Sequence, residues 1–464
     1  MADTMTGQQA NGQPAFEPLD PAGLEKAGFD TVIVSGVDMQ GRLFGKRMSP
    51  RRFRALLAEG LHICTCVYSW DIEQGLGLEV EFAGAHTGWQ DFRLVPDLTT
   101  LRPAAWLDAT AICLADSVDE DTGEPLAVAP RTILRRQADS FEAAGHRPYA
   151  ATELEFYLYH GTPAELRKRR YQDLEPTTLA HADYNIGEGN QMEPFFRQVR
   201  RALEASGIPV EVSQVEYGLG QWEINLEYGP AMAAADQHVL FKQAVKDLAA
   251  ANGMTATFMP RPVGDDLGSS CHIHASLRGL DGGTPFFDPG RDRGMSAVLG
   301  SAVAGVLEHA ADLMLWYAPT INSARRIGSQ DFAGNGLTWG FDNRTTTCRV
   351  LTGQPSATRL EFRLPGADVN PYLAIAGMLG SMRRGIADGA DPGKPSAGDA
   401  YGEIHEEFPQ NLAEAAEQFL NSEFAAATFG ADVVRHYHAV ARHEWRQFMR
   451  SVTDWELVRY FEAI

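Results

Sequence analysis

The chain has 464 residues, 44% of them hydrophobic and 22% charged, with 61 acidic against 40 basic residues and a formal net charge of −21. That length and apolar content can bury a substantial core, while the acidic balance argues against binding to nucleic acid or to anionic membranes. No run approaches the ~20 apolar residues of a membrane span, no signal-peptide pattern opens the chain, and five scattered cysteines without a C-x2-C pair fit neither a disulfide framework nor a zinc knuckle, so a cytoplasmic protein with reduced thiols is expected.

Residues 1–20 carry little apolar surface and are expected to form a disordered tail. Thr31 to Val34 predicts a buried strand, Asp38 to Gly41 a turn, and Arg42 to Lys46 the returning arm of a hairpin. Further strands are expected over Ile63 to Tyr68, Phe92 to Asp97 and Ala109 to Ala115, with the Gly-rich, acidic stretch Trp70 to Trp89 as a functional loop. Residues 21–125 therefore read as a small β-rich domain. A helix opening at Pro130, with apolar Ile133, Leu134 and Phe141 and with Gly145 past its end, starts the second domain, residues 126–464. There the pattern alternates: a strand at Ala151 to Tyr159, a helix at Glu193 to Ala205, and a hairpin of Glu211 to Glu216 with Gln221 to Leu226. Helices follow at Ala231 to Ala251, Met295 to Tyr317 and Pro371 to Asp388, then a Pro/Gly/Ser-rich link and a helical tail from Leu412 to Ile464. The run from Leu166 to Arg170 reads as a solvated basic loop.

In a strand, successive side chains point to opposite faces. Arg359-Leu360-Glu361-Phe362-Arg363 thus places cation, anion and cation on one face and two apolar groups on the other. The same period recurs in Glu153-Leu154-Glu155 and in His272-Ile273-His274, while Glu216 and Glu223 lie on the two arms of the predicted hairpin. A solvated charge ladder explains any one of these alone. Together, Glu153, Glu155, Glu216, Glu223, His272 and Glu361 are mutually repelling carboxylates with an imidazole, a donor set suited to two or three hard divalent ions, Mg²⁺ or Mn²⁺, that keep waters for a phosphate. Arg326, Arg344, Arg349, Arg359 and Arg363 are cations that a polyanion and a carboxylate substrate would require.

Ala256-Thr257-Phe258-Met259-Pro260-Arg261-Pro262 followed by Gly268-Ser269-Ser270-Cys271-His272-Ile273-His274-Ala275-Ser276-Leu277 resembles the ATP-binding signature of the glutamine synthetase family. Asn322 to Arg326, Asp342 to Thr345, Arg359 to Arg363 and Asn370 to Leu373 resemble further blocks of that family in the same order. The resemblance implies an α+β fold: a β-grasp-like N-terminal domain and a large catalytic domain with a curved antiparallel sheet flanked by helices. It implies ATP and Mg²⁺ or Mn²⁺ as cofactors, L-glutamate and an amine as substrates, and a homo-oligomer, a dodecamer of two hexameric rings with sites between neighbours. Glu155, Glu216 and Glu223 match the ligands of one ion, and Glu153, His272 and Glu361 those of a second. Glu211, His274, Ser276, Arg349 and Arg359 match positions that contact ATP. Gly268, Arg326 and Arg363 match positions that hold glutamate, and Arg344 one near the transferred phosphoryl group.

Ammonia-using members carry a glutamate in the flap that closes the site. Here Gly328-Ser329-Gln330-Asp331-Phe332-Ala333-Gly334 puts Phe332 in its place, an apolar wall for a carbon-bearing amine. The Asp-Gly-Ser-Ser motif that helps bind ammonium has no match in Tyr68 to Glu73, Leu267 and Ser356 replace an asparagine and a lysine, and no adenylylation motif surrounds Tyr401. These departures resemble the branch that ligates glutamate to organic amines, the function expected here. The alternatives are glutamine synthesis with a substituted flap, an inactive structural or nitrogen-sensing homologue, which gives no reason to keep repelling carboxylates together, and a metal hydrolase without ATP, which gives no role to the arginines.

Overall fold

The computed structural model describes residues 16–327, 334, 336–403 and 408–464. Its N-terminal part is built on a sheet of β1 (Thr31–Val37), β2 (Leu43–Met48), β3 (Leu61–Cys64), β4 (Asp91–Pro96), β5 (Arg102–Pro103) and β6 (Thr110–Val118). The order is β2-β1-β6-β4-β3 with β5 beside β6; β1 and β6 are parallel and the other pairs antiparallel. The β1–β2 turn closes because the Asp38 carboxylate accepts the backbone N–H groups of Gln40 (3.0 Å) and Arg42 (2.8 Å), with Gly41 at φ +79°. The Asn370 amide donates to the carbonyls of Asp38 (3.1 Å) and Met39 (3.2 Å), pinning this hairpin to the helix Pro371–Asp388.

The larger part carries β7 (His146–His160), β8 (Glu175–Pro176), β9 (Val210–Val215), β10 (Gln221–Leu226), β11 (Gly229–Pro230), β12 (Met254–Thr257), β13 (Cys271–Gly279), β14 (Trp339–Phe341), β15 (Cys348–Leu351) and β16 (Arg359–Phe362). They form a ten-stranded sheet in the order β14-β15-β16-β13-β7-β10-β9, with β8, β11 and β12 also paired to β7. The pairing is antiparallel throughout except for β14 with β15. Alternation decides which face meets the core. Leu154, Phe156 and Leu158 of β7, Cys271 and Ile273 of β13, Ile224 of β10, and Leu360 and Phe362 of β16 are all fully buried, on the side that takes the helices Pro130–Ala143 and Ala231–Ala251. Each contributes roughly 1.5–3 kcal/mol by burial. A one-residue slip would exchange the faces and lose that term, so the intervening glutamates and histidines are fixed on the front.

The structure departs from the sequence expectation at several ends. The strand expected to reach Tyr68 stops at Cys64 and turns into a 3₁₀ segment, Thr65–Tyr68, whose tyrosine is buried and hydrogen-bonded to Ser117 (2.8 Å). The expected helix Glu193 to Ala205 begins earlier, at Ile186, because Asn185 caps it by accepting the N–H of Glu188 (3.1 Å); Pro194 lies inside it. The expected helix Met295 to Tyr317 is two, Ala297–Glu308 and Met314–Tyr317, broken where the His309 ring stacks on Phe424 at 3.6 Å between centroids. The basic run belongs to a short helix, Pro163–Lys168, capped by Thr162 and Glu165. The tail is four helices: Leu412–Asn421, Glu423–Phe429, Ala431–Met449 and Asp454–Tyr460.

Candidate active site

Register brings the ionisable groups into one band across the front of the large sheet. Glu153 on β7 lies opposite His272 on β13, Glu155 opposite Glu223 on β10, and Glu223 opposite Gln214 on β9. On the other side His274 lies opposite Glu361 on β16, and Glu361 opposite Arg349 on β15. Two overlapping sets of donor atoms lie within 4.8 Å of one another: Glu153, His272 and Glu223, and Glu153, His274 and Glu361. His274 joins Glu153 and Glu361 in the second set, and His272 Nδ1 also lies close to both of those carboxylates.

The band has two electrostatic halves. Glu361 is buried, yet Arg363 above all, with the two histidines, holds its carboxyl down at about 2 against the cost of burial; Arg349 Nη1 donates to its other oxygen at 2.8 Å. Glu153 stays well below the ordinary range against the cost of burial, through the nearby His272 ring and a hydrogen bond from His274 (Nε2 to Oε1, 2.8 Å). In the other half, no cation among the described residues pairs with Glu216 or Glu223. Burial and then the Glu155 charge push Glu216 up to about 8, and the same two causes, with Glu216, push Glu223 well above its usual value. These are the signs expected of a site that divalent cations complete. His272 fits that role. Both of its ring nitrogens are buried without a hydrogen-bond partner, Nδ1 stands 3.5 Å from Glu153 and 3.6 Å from Glu361, and burial, then Arg363, keeps the ring neutral-leaning by lowering its pKa. Carboxylate oxygens and a free imidazole nitrogen suit Mg²⁺ or Mn²⁺.

Two amides missed in the sequence hold this half together. Gln214 Nε2 donates to Glu216 (2.9 Å) and to Glu223 (3.0 Å). Gln221 Nε2 donates to Glu155 (3.1 Å) and to the Gly268 carbonyl (3.0 Å), while the Ser270 N–H also donates to Glu155 (2.8 Å). Each amide stands two residues before a glutamate, on the same strand face, and that spacing was the available signal.

The arginines lie around the band. Arg326 is buried, with Nη1 donating to the Leu364 carbonyl (2.8 Å) and Nη2 to Ser270 (2.7 Å). It passes over Gly268, where a Cβ would come within 2.7 Å of Arg326 Cγ and 2.9 Å of the Pro260 carbonyl. Arg363 is engaged with Glu361, Arg349 bridges Glu361 and Asp342, and Arg359 Nε donates to His274 Nδ1 (3.1 Å), which leaves Nε2 to donate to Glu153. Ser276 donates to the Thr358 carbonyl (3.0 Å). Arg344 is exposed in the turn between β14 and β15, and its charge reaches Asp183 and Tyr184. Asp183, which also feels Glu155, had no signal in the sequence. Glu211 stands apart: it is exposed and is the extra residue of a β-bulge, since Asn225 pairs with Val212 and Leu226 with Val210. A bulge re-aims a side chain that simple alternation would misplace. Phe332 and the rest of the flap, residues 328–333, lie outside the described residues.

Residues 127–460 match the family model of the glutamine synthetase catalytic domain. The chain belongs to the glutamine synthetase family. A glutamate–isopropylamine ligase from a Pseudomonas species is 36% identical over 445 residues, covering 95% of this chain and 97% of that protein. The γ-glutamylethanolamide synthetase GlnA4 of Streptomyces coelicolor is 38% identical over 468 residues, covering 99% and 100%. The solved structure of apo GmaS without ligand superposes with a TM-score of 0.83 at 26% identity over 95% of this chain and 99% of that one. As a glutamine synthetase family member the chain is an ATP-dependent carbon–nitrogen ligase, a family that uses divalent metal ions, and the carboxylate and imidazole band contains groups that could hold such an ion.

Proposed function

We propose that this ligase joins the γ-carboxylate of L-glutamate to an organic amine through γ-glutamyl phosphate, giving a γ-glutamylamide, ADP and phosphate. The observation that carries the reading is end-to-end similarity to two amine-using ligases, one named for the isopropylamine it ligates and one for its γ-glutamylethanolamide product. Phe332 in place of the flap glutamate supports it from the sequence. Glu153, Glu155, Glu216, Glu223, His272 and Glu361 hold the ions, with His274 tying the Glu153 side to Arg359. Bound Mg²⁺ or Mn²⁺ supplies positive charge for the phosphoryl oxygens. Arg349, Arg359, Ser276 and Glu211 contact ATP; Gly268, Arg326 and Arg363 hold glutamate; Arg344 faces the transferring phosphoryl group. Their work is positioning and charge stabilisation, with no covalent enzyme intermediate. The glutamate carboxylate takes the γ-phosphoryl group, the amine nitrogen then attacks the acyl carbon, and phosphate leaves.

We further read the protein as a cytoplasmic ring-forming homo-oligomer with residues 21–125 as its N-terminal domain. Val458, Phe461 and Ile464, 91%, 79% and 99% exposed in the single chain, supply apolar surface for self-association. Among the described residues no helix is long and apolar enough to cross a membrane.

The test is phosphate release with glutamate, ATP and Mg²⁺ over ethanolamine, isopropylamine, methylamine, spermine and ammonia. Organic amines are expected to exceed ammonia in kcat/KM. Release without glutamate overturns the ligase reading, and preference for ammonia makes the protein a glutamine-forming enzyme.

A further inference from the structure

Behind the sheet lies a cavity of about 380 Å³ that shares no residue with the ion or arginine sets. It sits between the β1–β2 turn, the helix Ala231–Ala251, the segment Thr257 to Pro260 after β12, and the helix Ala431–Met449. Its size is within the range of small-molecule pockets, about 300–1,000 Å³. Leu78, Val239, Leu315, Leu373 and Val440 give it an aliphatic wall.

The polar groups on that wall are unevenly satisfied. Lys242 and Lys246, one helical turn apart, both bring their ammonium groups over the Phe258 ring, 5.0 and 5.7 Å from its centroid. Two like charges at this spacing repel. The hydrogen bond found for Lys242 among the described residues goes to the Ala367 carbonyl (2.9 Å), although an ammonium has three donors. Burial, then the charge of Lys246, brings Lys242 down to about 8. The neighbouring carboxylates are engaged in different ways. Asp368 accepts from Thr320 (2.7 Å) and Ser323 (2.6 Å) through Oδ2, while its charge also reaches Lys242. Asp71 accepts the N–H groups of Glu73 (3.0 Å) and Gly75 (2.7 Å) and lies 3.4 Å from the His443 ring. Arg42 is already bound to Asp38 at 2.7 Å. Glu444 is the remaining acid on the wall, beside Asp71.

We propose that this cavity binds a small organic acid, a carboxylate on an apolar body, with the carboxylate on Lys242 and Lys246 and the body against Phe258 and the aliphatic wall. The paired ammonium groups at Phe258 select an anion, and the wall selects a chain or ring rather than a bare ion.

Octanoate is the probe, titrated calorimetrically into the full-length protein, with octylamine as the control of equal length and opposite charge. One saturable octanoate per chain is expected, with octylamine not binding. Lys246→Gln, at an exposed position that spares the fold, is expected to weaken octanoate at least tenfold, and Lys242→Met to do the same. Unchanged octanoate affinity in Lys246→Gln overturns the proposal whether or not the Lys242 variant folds. Octylamine binding as tightly as octanoate would assign the cavity to Asp71 and Glu444 instead. An octanoate Kd that rises in proportion to added ATP would place the probe on the nucleotide site and equally overturn it.

Discussion

Glu216→Gln is expected to stabilise the metal-free protein while disabling the enzyme. In the folded chain burial and the Glu155 charge push Glu216 up to about 8, from an ordinary 4.5. Between those values the folded state binds more protons than the unfolded state, so stability is full below pH 4.5 and falls as pH rises toward 8. At pH 7 the solution lies about 2.5 pH units above the unfolded-state value, at 1.36 kcal/mol each, so keeping Glu216 protonated costs the metal-free fold about 3 kcal/mol. The amide variant is neutral without that cost and keeps the shape. Calorimetric melting in EDTA is the assay, from pH 5 to 8. Wild-type Tm is expected to fall over this window, the Glu216→Gln protein to fall less, and saturating Mg²⁺ to raise wild type and leave the variant nearly unmoved. For a ligand that binds only the folded state, 100-fold over Kd, the rise corresponds to about 2.7 kcal/mol. A metal-free Tm that is level or rising across pH 5 to 8, with no response to Mg²⁺, refutes the reading of these carboxylates as an uncompensated ion site.

Gln214→Leu removes the amide that positions Glu216 and Glu223; Mg²⁺ affinity, read by titration, is expected to fall about 10–100-fold, as for other groups that orient metal ligands. Gly268→Ala places a Cβ 2.7 Å from Arg326 Cγ, so the KM for glutamate is expected to rise while overpacking costs about 1–3 kcal/mol of stability; an unchanged KM would separate Arg326 from glutamate. Arg344→Lys keeps the charge and loses the planar fork, so single-turnover rates should fall far more than ATP affinity. Phe332→Glu is expected to narrow the preference for ethanolamine over ammonia in kcat/KM, and an unaltered ratio would take Phe332 out of amine selection.

The ion band was legible because its signal has period two and its apolar complement is unambiguous: Leu154, Ile273, Leu360 and Phe362 have one side to go to. Other features were hidden for separate physical reasons. Gln214 and Gln221 share the face of their glutamates, but an uncharged amide gives a search for charge nothing to find. Glu211 sits in a bulge, which the sequence does not mark with glycine or proline. The break after Glu308 carries no glycine or proline, and there the His309 ring stacks on Phe424. Asp183 lies in a loop, where no periodicity operates. The place of His274 beside Glu153 and Glu361 followed from register between strands far apart in the chain, which no local pattern carries.

The wide sequence spacing of the band also matters while the chain is being made. Glu153, Glu155, Glu216 and Glu223 emerge well before Arg349, Glu361 and Arg363. At synthesis rates of roughly 5–20 residues per second, the arms β7, β9 and β10 wait on the order of 10 s for the strand that closes the sheet. Until β13 emerges, β7 keeps one open edge beside Phe156 and Leu158, a hazard for pairing with other nascent chains. The carboxylates beside them, not yet neutralised by arginine or metal, repel such neighbours, so Glu216 and Glu223, which weaken the finished apo fold, help protect the unfinished one.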